Sequence, residues 1–461
     1  MKICLLMPGR GQITNRMHPE SRSWLPPGSL LEVAGMTAPE HELVLIDELA
    51  QGSVTLGKLP EADLYALSGL STSRYGAYRI ADFLRKQGKL VVAGGMDVTG
   101  HYSEGHGEEL FDHYDAIAVG RLTSQLWAQV LADCQKGTLK PVYQVSPDEP
   151  WEFPVPRYDL INPRDYFLPV AIRTSAGCNE ACPFCTIHLV IGRRRTIRTK
   201  PPAILEKELE ILPPSKYLVD YSDSFGADYP HTLEILPLLR DTGRPWFTEI
   251  TVKNLLGIDR PGELIGPMVR NGCAGVYLGF ENIRQSVSGK SLTQKQNEEA
   301  CRRIQGAGLI ILGSFILDVT GREDVDTINW TVEWAAKVRL DFVQYSLLAL
   351  LPGSELRRIA LQKGWVIDNN PEHFDGAWPT IAHPLSPEQR IESLCYAYRQ
   401  TYSLRNIAER LRGFPANWRQ ARLLPLVAAA NYQIHRSVAA REQWGTYEHW
   451  LATRQVAVQS V

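Results

Sequence analysis

The stretch Ser175-Ala-Gly-Cys178-Asn-Glu-Ala-Cys182-Pro-Phe-Cys185 places three cysteines inside eight residues. Thiolates are soft ligands that select iron-sulfur units or zinc, and this spacing lets all three converge on one metal centre. No fourth cysteine lies near. Structural zinc takes four ligands and a [4Fe-4S] cluster normally takes four cysteines, so three of them predict a cluster with one iron open for substrate. A zinc loop is the other reading of the same residues.

The remaining cysteines, Cys4, Cys134, Cys273, Cys301 and Cys395, have no metal spacing and are read as buried or incidental thiols. Eight cysteines in 461 residues are no disulfide framework. Forty-nine basic against 51 acidic residues give a formal charge of -2. That balance provides no global attraction to nucleic acid or to anionic membranes, so a small-molecule substrate is expected and a nucleic-acid partner is not. No run approaches the roughly twenty apolar residues of a membrane span, and the opening Met1-Lys-Ile-Cys-Leu-Leu-Met-Pro is too short and too soon interrupted for a signal peptide. A cytoplasmic protein without a transmembrane segment is expected.

Outward from the cysteines the chain alternates apolar strands with helices, which predicts parallel sheets. Before them, strands are expected at Ile3 to Met7, Leu43 to Asp47, Leu64 to Ser68, Leu90 to Ala93 and Ala116 to Val119, a Rossmann-like or flavodoxin-like unit over residues 1–140. Ligands sit beyond the carboxyl ends of such strands. Those ends read Pro8-Gly9-Arg10-Gly11, Asp47-Glu48, Gly69 to Tyr75, Gly94-Gly95-Met-Asp97 and Gly120-Arg121, rich in glycine and hydroxyls. Turn chemistry and helix caps explain many of them equally well. No Gly-x-Gly-x-x-Gly follows the first strand, which counts against a dinucleotide site.

Residues 141–168 hold Pro141, Pro147, Pro150, Pro154, Pro156 and Pro163, the composition of a semi-rigid connector lying on its neighbours. Over 169–364 six more strands are expected: Val170 to Thr174, Tyr217 to Tyr221, Trp246 to Val252, Gly275 to Phe280, Ile310 to Leu317 and Phe342 to Leu348. Helix-length segments separate them: Pro201 to Leu212, Pro230 to Asp241, Pro261 to Asn271, Gln294 to Ala307 and Glu323 to Val338. Six such units make an open, partial TIM-type (β/α)6 barrel, with the cysteines at the carboxyl end of its first strand, where barrel chemistry is found. Residues 365–461 are helical and aromatic-rich, a carboxyl-terminal helical domain.

The cysteine spacing, with Phe184 before the last cysteine, is the signature of the radical S-adenosylmethionine (radical SAM) enzymes, and the sequence resembles that superfamily. The resemblance implies that the open iron binds SAM and that an electron from the cluster breaks the sulfonium bond to give a 5'-deoxyadenosyl radical. The segments Trp24 to Leu31, Leu67 to Thr72, Val91 to Gly95 and Ala118 to Arg121 resemble the amino-terminal cobalamin-binding domain of class B of that superfamily. By this resemblance Pro8, Gly9, Ser71, Thr72, Arg74, Tyr75, Gly94, Gly95 and Gly120 are expected around cobalamin, with Arg74 or Tyr75 toward the lower face of the corrin. The Asp-x-His-x-x-Gly motif that supplies a cobalt ligand elsewhere is absent, and His18 does not replace it. The same fold without cobalamin is the competing reading.

Around SAM the resemblance places Phe184, Asp223, Lys253, Gly279 and Glu281. Asp223 and Glu281 follow strands in stretches similar to the class's Asp-Asp-x-Phe and Gly-Phe-Glu-Ser. A carboxylate there can hold an ammonium or ribose hydroxyls, or be a structural group satisfied by backbone amides. Arg193-Arg-Arg195-Thr-Ile-Arg198-Thr-Lys200 carries five positive charges in eight residues. It suits a substrate anion or an electron donor such as flavodoxin or ferredoxin, or is a solvated face with one arginine paired to a core carboxylate. The helical tail resembles the extension found with cobalamin-linked methylases and the anaerobic porphyrin ring cyclase. Together these imply a cobalamin-dependent methyltransferase acting on an unactivated carbon. Its rivals are a radical SAM enzyme with another outcome (ring formation, carbon-carbon coupling or oxidation) and a non-catalytic iron-sulfur or zinc scaffold.

Overall fold

The computed structural model describes residues 1–10, 23–146, 149–258, 262–284, 292–412 and 421–455. His18, Gly11, Pro147 and Pro261 lie outside them. The first unit is a six-stranded sheet of β1 (Lys2–Met7), β2 (Glu42–Asp47), β3 (Leu64–Ser68), β4 (Leu90–Gly94), β5 (Ala116–Val119) and β6 (Val142–Gln144). Its spatial order is β2-β1-β3-β4-β5-β6 and every pairing is parallel. The strand runs are apolar throughout because both faces are covered. Ile3 and Leu5 join one buried core while Cys4 and Leu6 join the other, the alternation a pleated strand imposes.

The expected five strands are present within a residue of their predicted ends, and β6 is an addition. It lies inside the segment read as connector, where prolines mask a short edge strand. The rest of that connector does lie on its neighbours: Arg157 donates its N–H to the Leu31 carbonyl, Tyr166 its hydroxyl to Asp47 (3.1 Å), and Tyr158 its hydroxyl to Glu208 (2.8 Å) and to the Ala171 carbonyl (2.7 Å). It thereby fastens the first sheet to the second.

The second unit begins with β7 (Ala171–Ile172), continues through β8 (Ser175–Cys178) and β9 (Thr196–Thr199), and then runs β10 (Leu218–Phe225), β11 (Trp246–Ile250), β12 (Cys273–Glu281), β13 (Ile310–Ile316) and β14 (Phe342–Ser346). Six of these form a sheet in the order β14-β13-β12-β11-β10-β7, all parallel, which is the sequential order of an open (β/α)6 barrel. Val276, Leu278 and Phe280 of β12 pack into the core beneath the helices, so Tyr277, Gly279 and Glu281 face the inside of the curved sheet.

Two differences from expectation bear on the site. The predicted strand Val170 to Thr174 shortens to β7, and the cysteine run, expected as a loop, starts as β8, paired antiparallel with β9 from the basic run. The predicted strand Tyr217 to Tyr221 extends through Asp223 and Ser224 to Phe225.

The tail is helical over Pro387–Thr401, Leu404–Arg412, Leu424–Trp444 and Tyr447–Thr453. Leu423 and Val427 pack with Ala274 and Ile310, with Phe247 and Phe342 beside them, closing the amino-terminal end of the barrel. No helix among the described residues is long and apolar enough to cross a membrane.

Candidate active site

Gly177 fixes the entry to the cysteine loop. Its φ is +93°, and a Cβ there would lie 2.1 Å from the Thr196 carbonyl oxygen, so β8 and β9 can pair this closely only at glycine. The backbone N–H groups of Thr174 and Ser175 donate to the Ser222 hydroxyl at 3.1 and 2.9 Å. Ser222 and Thr174 in turn hydrogen-bond to Asp220, which is fully buried and whose carboxyl burial pushes up. Gly177 donates its N–H to Asp223 at 2.7 Å. These bonds from β10 hold the residues directly ahead of Cys178.

Beyond Cys178, Glu180 directs its N–H at the Cys178 sulfur (3.4 Å) and Asn179 joins a buried network. Asn179 Nδ2 donates to Asn254 Oδ1 at 3.3 Å, Asn254 Nδ2 donates to the Ser224 hydroxyl at 3.0 Å, and that hydroxyl donates to Asn179 Oδ1 at 3.3 Å. A backbone bond from Cys185 N–H to the Cys182 carbonyl turns the loop back on itself. Arg194 directs Nη1 toward the carbonyls of Ala181 and Cys182 (3.4 and 3.5 Å) and pairs through Nη2 with Glu355.

No disulfide joins any of the eight cysteines. Burial pushes the Cys185 thiol up to about 11, and the neighbouring Cys182, Cys178 and Asp223 push the same way. A thiol whose ionisation two neighbouring cysteines oppose fits a metal centre, whose charge reverses that opposition. The donor set suits the cluster predicted from the spacing.

The residues expected around SAM are distributed over this face. Phe184 packs among Leu348, Leu350 and Leu356. Asp223 is half-buried and accepts the Gly177 N–H, which matches the structural reading of that carboxylate; burial raises its carboxyl, the Gly177 bond and Arg173 working against that. Lys253 lies half-buried in the short helix Val252–Leu256 after β11. Gly279 and Glu281 close β12, where the register against β13 shifts and Glu281 takes a φ of +56°. That conformation is costly for a non-glycine residue and concentrates at functional sites.

Two of the five positive charges of the basic run have identified carboxylate partners. Lys200 is buried in an ion pair with Glu208, Arg194 is spent on the cysteine loop, and Arg198 belongs to β9.

At the carboxyl ends of the first sheet, Pro8 touches the space over Gly69, and Gly9 donates its N–H to Glu48 at 2.7 Å. Gly95 has φ +94° and Gly120 φ +80°, with the Gly120 N–H on Thr99 Oγ1 (2.9 Å). Gly94 adjoins Ala118. Leu70, directly after β3, is 58% exposed and offers an apolar side chain at this rim. Bare glycine backbone with an exposed leucine is a surface that a large flat macrocycle fits.

Ser71 and Thr72 are buried in a short turn, which the turn Pro371–His373 of the tail contacts. Arg74, expected near the corrin's lower face, is held by Asp97 in a buried bidentate pair (2.9 and 2.6 Å). Burial opposes the Asp97 charge, but Arg74 outweighs it and keeps that carboxyl below its usual range. Tyr75 accepts a hydrogen bond from Gln455 Nε2 at 2.8 Å.

The two glycine-rich faces meet. A Cβ on Gly120 would lie 3.6 Å from the Leu189 carbonyl, just beyond the cysteines, and one on Gly353 would lie 2.7 Å from Leu189 Cδ1. The hydrogen-bonded scaffold of Asp220, Ser222, Asn179 and Asn254 was missed from sequence. Its only local signal was the polar run Asp220 to Ser224 inside a buried strand.

No family model matches the chain. The bacteriochlorophyllide d C-12(1)-methyltransferase of Chlorobaculum tepidum is 24% identical over 410 residues, covering 85% of this chain and 86% of that protein. An uncharacterized methyltransferase of Pyrococcus horikoshii is 26% identical over 432 residues, covering 86% and 90%. Among solved structures, the radical SAM methyltransferase TsrM from Kitasatospora setae, with cobalamin and a [4Fe-4S] cluster bound, aligns with a TM-score of 0.64 and 12% identity over 96% of this chain and 99% of that one. The cobalamin-dependent radical SAM enzyme OxsB, with aqua-cobalamin and SAM bound, gives 0.63 and 13% over 94% and 71%. With a parallel sheet of glycine-rich strand ends set against an open barrel that carries the cysteine hairpin, the chain has the two-part fold of TsrM and OxsB.

Proposed function

We propose that the chain is a cobalamin-dependent radical SAM methyltransferase that methylates an unactivated carbon of a small-molecule substrate. One observation carries this: the segment that follows the cysteines at the carboxyl end of the barrel adjoins the glycine-rich carboxyl ends of the first sheet, through Leu189 against Gly120. The likeness to TsrM and OxsB, and to relatives named as methyltransferases acting on bacteriochlorophyllide d, supports the same reading.

In it, Cys178, Cys182 and Cys185 hold a [4Fe-4S] cluster with one open iron. Phe184, Lys253, Gly279 and Glu281 line the SAM side, and Asp223 acts by holding the Gly177 N–H. Pro8, Gly9, Ser71, Thr72, Tyr75, Gly94, Gly95 and Gly120 frame cobalamin. Arg74 joins them, its guanidinium oriented by its bidentate pair with Asp97. When bound, these groups supply one-electron cleavage of a sulfonium, hydrogen abstraction and a methyl donor. The protein's task is positioning and exclusion of water. The electron comes from a flavodoxin or ferredoxin, and a chain of eight cysteines without a disulfide framework supports a cytoplasmic location.

Incubating the reconstituted enzyme with SAM, a reductant, methylcobalamin and candidate substrates should give 5'-deoxyadenosine and S-adenosylhomocysteine together. If only 5'-deoxyadenosine forms with a substrate that is consumed, the radical SAM part stands and the methyltransferase part falls.

A further inference from the structure

The helix Met96–Ser103, which follows β4, ends beside the barrel, and its last turn gathers three side chains with metal-ligating atoms. One such atom from each of His101, Glu104 and His106 lies within 4.8 Å of those of the other two. The backbone brings them together. The His101 carbonyl accepts the N–H groups of Glu104 and His106 at 3.2 and 3.3 Å, and Gly105 between them takes a φ of +90° that turns the chain back over the helix end. The two imidazole rings then lie face to face, their centres 4.4 Å apart.

The surroundings of His101 point to a ligand. Its side chain is buried, 5% exposed, and Nε2 bonds to Glu109 at 2.9 Å, a carboxylate that also takes the Tyr78 hydroxyl at 3.1 Å. An ionised carboxylate only accepts, so Nε2 carries the hydrogen, and the neutral ring then presents a bare lone pair at Nδ1. That nitrogen is buried and has no hydrogen-bond partner among the described residues. An unmet buried acceptor costs free energy that a ligand would recover. A carboxylate on the far nitrogen is also the arrangement that orients metal-bound histidines and makes them more basic.

Glu104 supplies charge at the same point. Its Oε1 takes the Gly353 N–H (2.7 Å) and shares Arg357 Nε with Oε2 (2.9 and 3.0 Å), which leaves lone pairs on Oε2. Arg357 opposes a nearby cation, but the two carboxylates of Glu104 and Glu109 outnumber it. His106 is exposed and free to rotate, which closes the span to the roughly 4 Å or less that separates ligands of one small cation.

We propose that His101 through Nδ1, Glu104 and His106 form a site for one divalent cation of the zinc class, at the junction of the first sheet and the barrel. Two imidazoles with a carboxylate suit zinc and its neighbours, whereas calcium and magnesium take oxygen ligands. Because Glu104 also holds the Gly353 N–H and Arg357, a cation here fastens the helix end to the segment that follows β14. The site uses none of the residues assigned above to the cluster, SAM or cobalamin.

The test is zinc binding by the enzyme with its iron-sulfur cluster assembled, so that the three cysteines are filled, in competition with a chromophoric chelator and together with X-ray absorption at the zinc edge. About one zinc per chain should survive the chelator, with nitrogen and oxygen ligands at roughly 2.0–2.1 Å and the scattering pattern of imidazole. His106→Ala, at an exposed position, should lose that zinc while keeping its iron. Glu109→Gln should weaken binding by roughly 10–100-fold, because it withdraws the charge behind His101. His101→Phe should also lose the zinc; if it fails to fold, His106→Ala decides alone. Zinc should raise the melting temperature of the wild type and not that of His106→Ala. Wild-type enzyme that yields all its zinc to the chelator, or zinc that His106→Ala retains, overturns the proposal. So does a zinc edge dominated by sulfur at about 2.3 Å, which would place the metal on the cysteines. If no cluster assembles, the functional reading falls, and the ligands seen at the zinc edge still decide this inference.

Discussion

Gly177 carries two constraints at once, a φ of +93° and the Thr196 carbonyl where a side chain would begin. Either alone disfavours alanine, and together they leave no rearrangement that keeps β8 paired to β9. Gly177→Ala should therefore displace Cys178 and lower iron bound after reconstitution several-fold, measured per chain beside an unchanged far-ultraviolet circular dichroism spectrum. Asp223 divides into two contributions. Asp223→Asn keeps an oxygen to accept the Gly177 N–H and should retain the cluster. Asp223→Ala leaves that donor unmet, which costs about 1–3 kcal/mol, and should lose iron more readily on dilution. The cysteines were legible in sequence because their spacing is local. Asp223 was legible as a strand-end carboxylate, but not its partner, since the bond to Gly177 joins positions that only the fold brings together. Arg74 was legible as a residue after the third strand, but not its partner Asp97, which the end of the next strand supplies.

The open barrel ends at β14, and an edge strand exposes unpaired N–H and C=O groups. The helix Pro387–Thr401 and the residue after it cover them with two tyrosines. The Tyr398 hydroxyl donates to the Tyr345 carbonyl (2.8 Å) and accepts its N–H (3.1 Å), while Tyr402 makes the same pair of bonds with Val343 (2.8 and 2.9 Å). These two tyrosines of the aromatic tail thus pack onto the edge of the barrel. Tyr402→Phe removes a buried partner from two backbone groups. It should cost on the order of 1–3 kcal/mol and speed hydrogen exchange at the Val343 amide. A second device on this edge responds to pH. Burial pushes the Asp341 carboxyl up to about 6, with its bond to the Ile311 N–H opposing. Its folded value lies above the unfolded one of about 3.9, so the folded state holds the proton more tightly and stability falls as pH rises from about 4 to 6. Asp341→Asn can still accept the Ile311 N–H and should raise the melting temperature by about 2–4 °C at pH 8, with little change at pH 4. The parallel strands were readable because burial on both faces makes them apolar runs. The pair β8 and β9 was not, because its residues are polar or small and its pairing is non-local.

At the scale of the whole molecule, the two sheets meet through backbone. A Cβ on Gly100, in the helix Met96–Ser103 after β4, would lie 2.3 Å from the Pro352 carbonyl, and one on Gly353 would lie 2.9 Å from Ser103 Oγ. Beside this contact Glu104 accepts the Gly353 N–H at 2.7 Å and pairs with Arg357 Nε at 2.9 Å, both side chains nearly buried. At this contact the packing rests on glycines and the Glu104–Arg357 ion pair, so small changes there shift one sheet against the other without entering the carboxyl ends of either. Glu104→Gln still accepts the Gly353 N–H but leaves the Arg357 charge uncompensated, at a cost of about 3 kcal/mol. SAM cleavage needs only the barrel and its cysteines, whereas methyl transfer needs both faces in register, and misplacement by about 1 Å can cost as much as 10²-fold in rate. In Glu104→Gln, 5'-deoxyadenosine formation should therefore persist within about twofold while S-adenosylhomocysteine formation drops by roughly tenfold or more. Gly100→Ala should show the same split by wedging the contact apart. Parallel loss of both products in both variants would mean that the barrel itself depends on the junction, and equal retention would mean that the two faces are held in register by the connector instead.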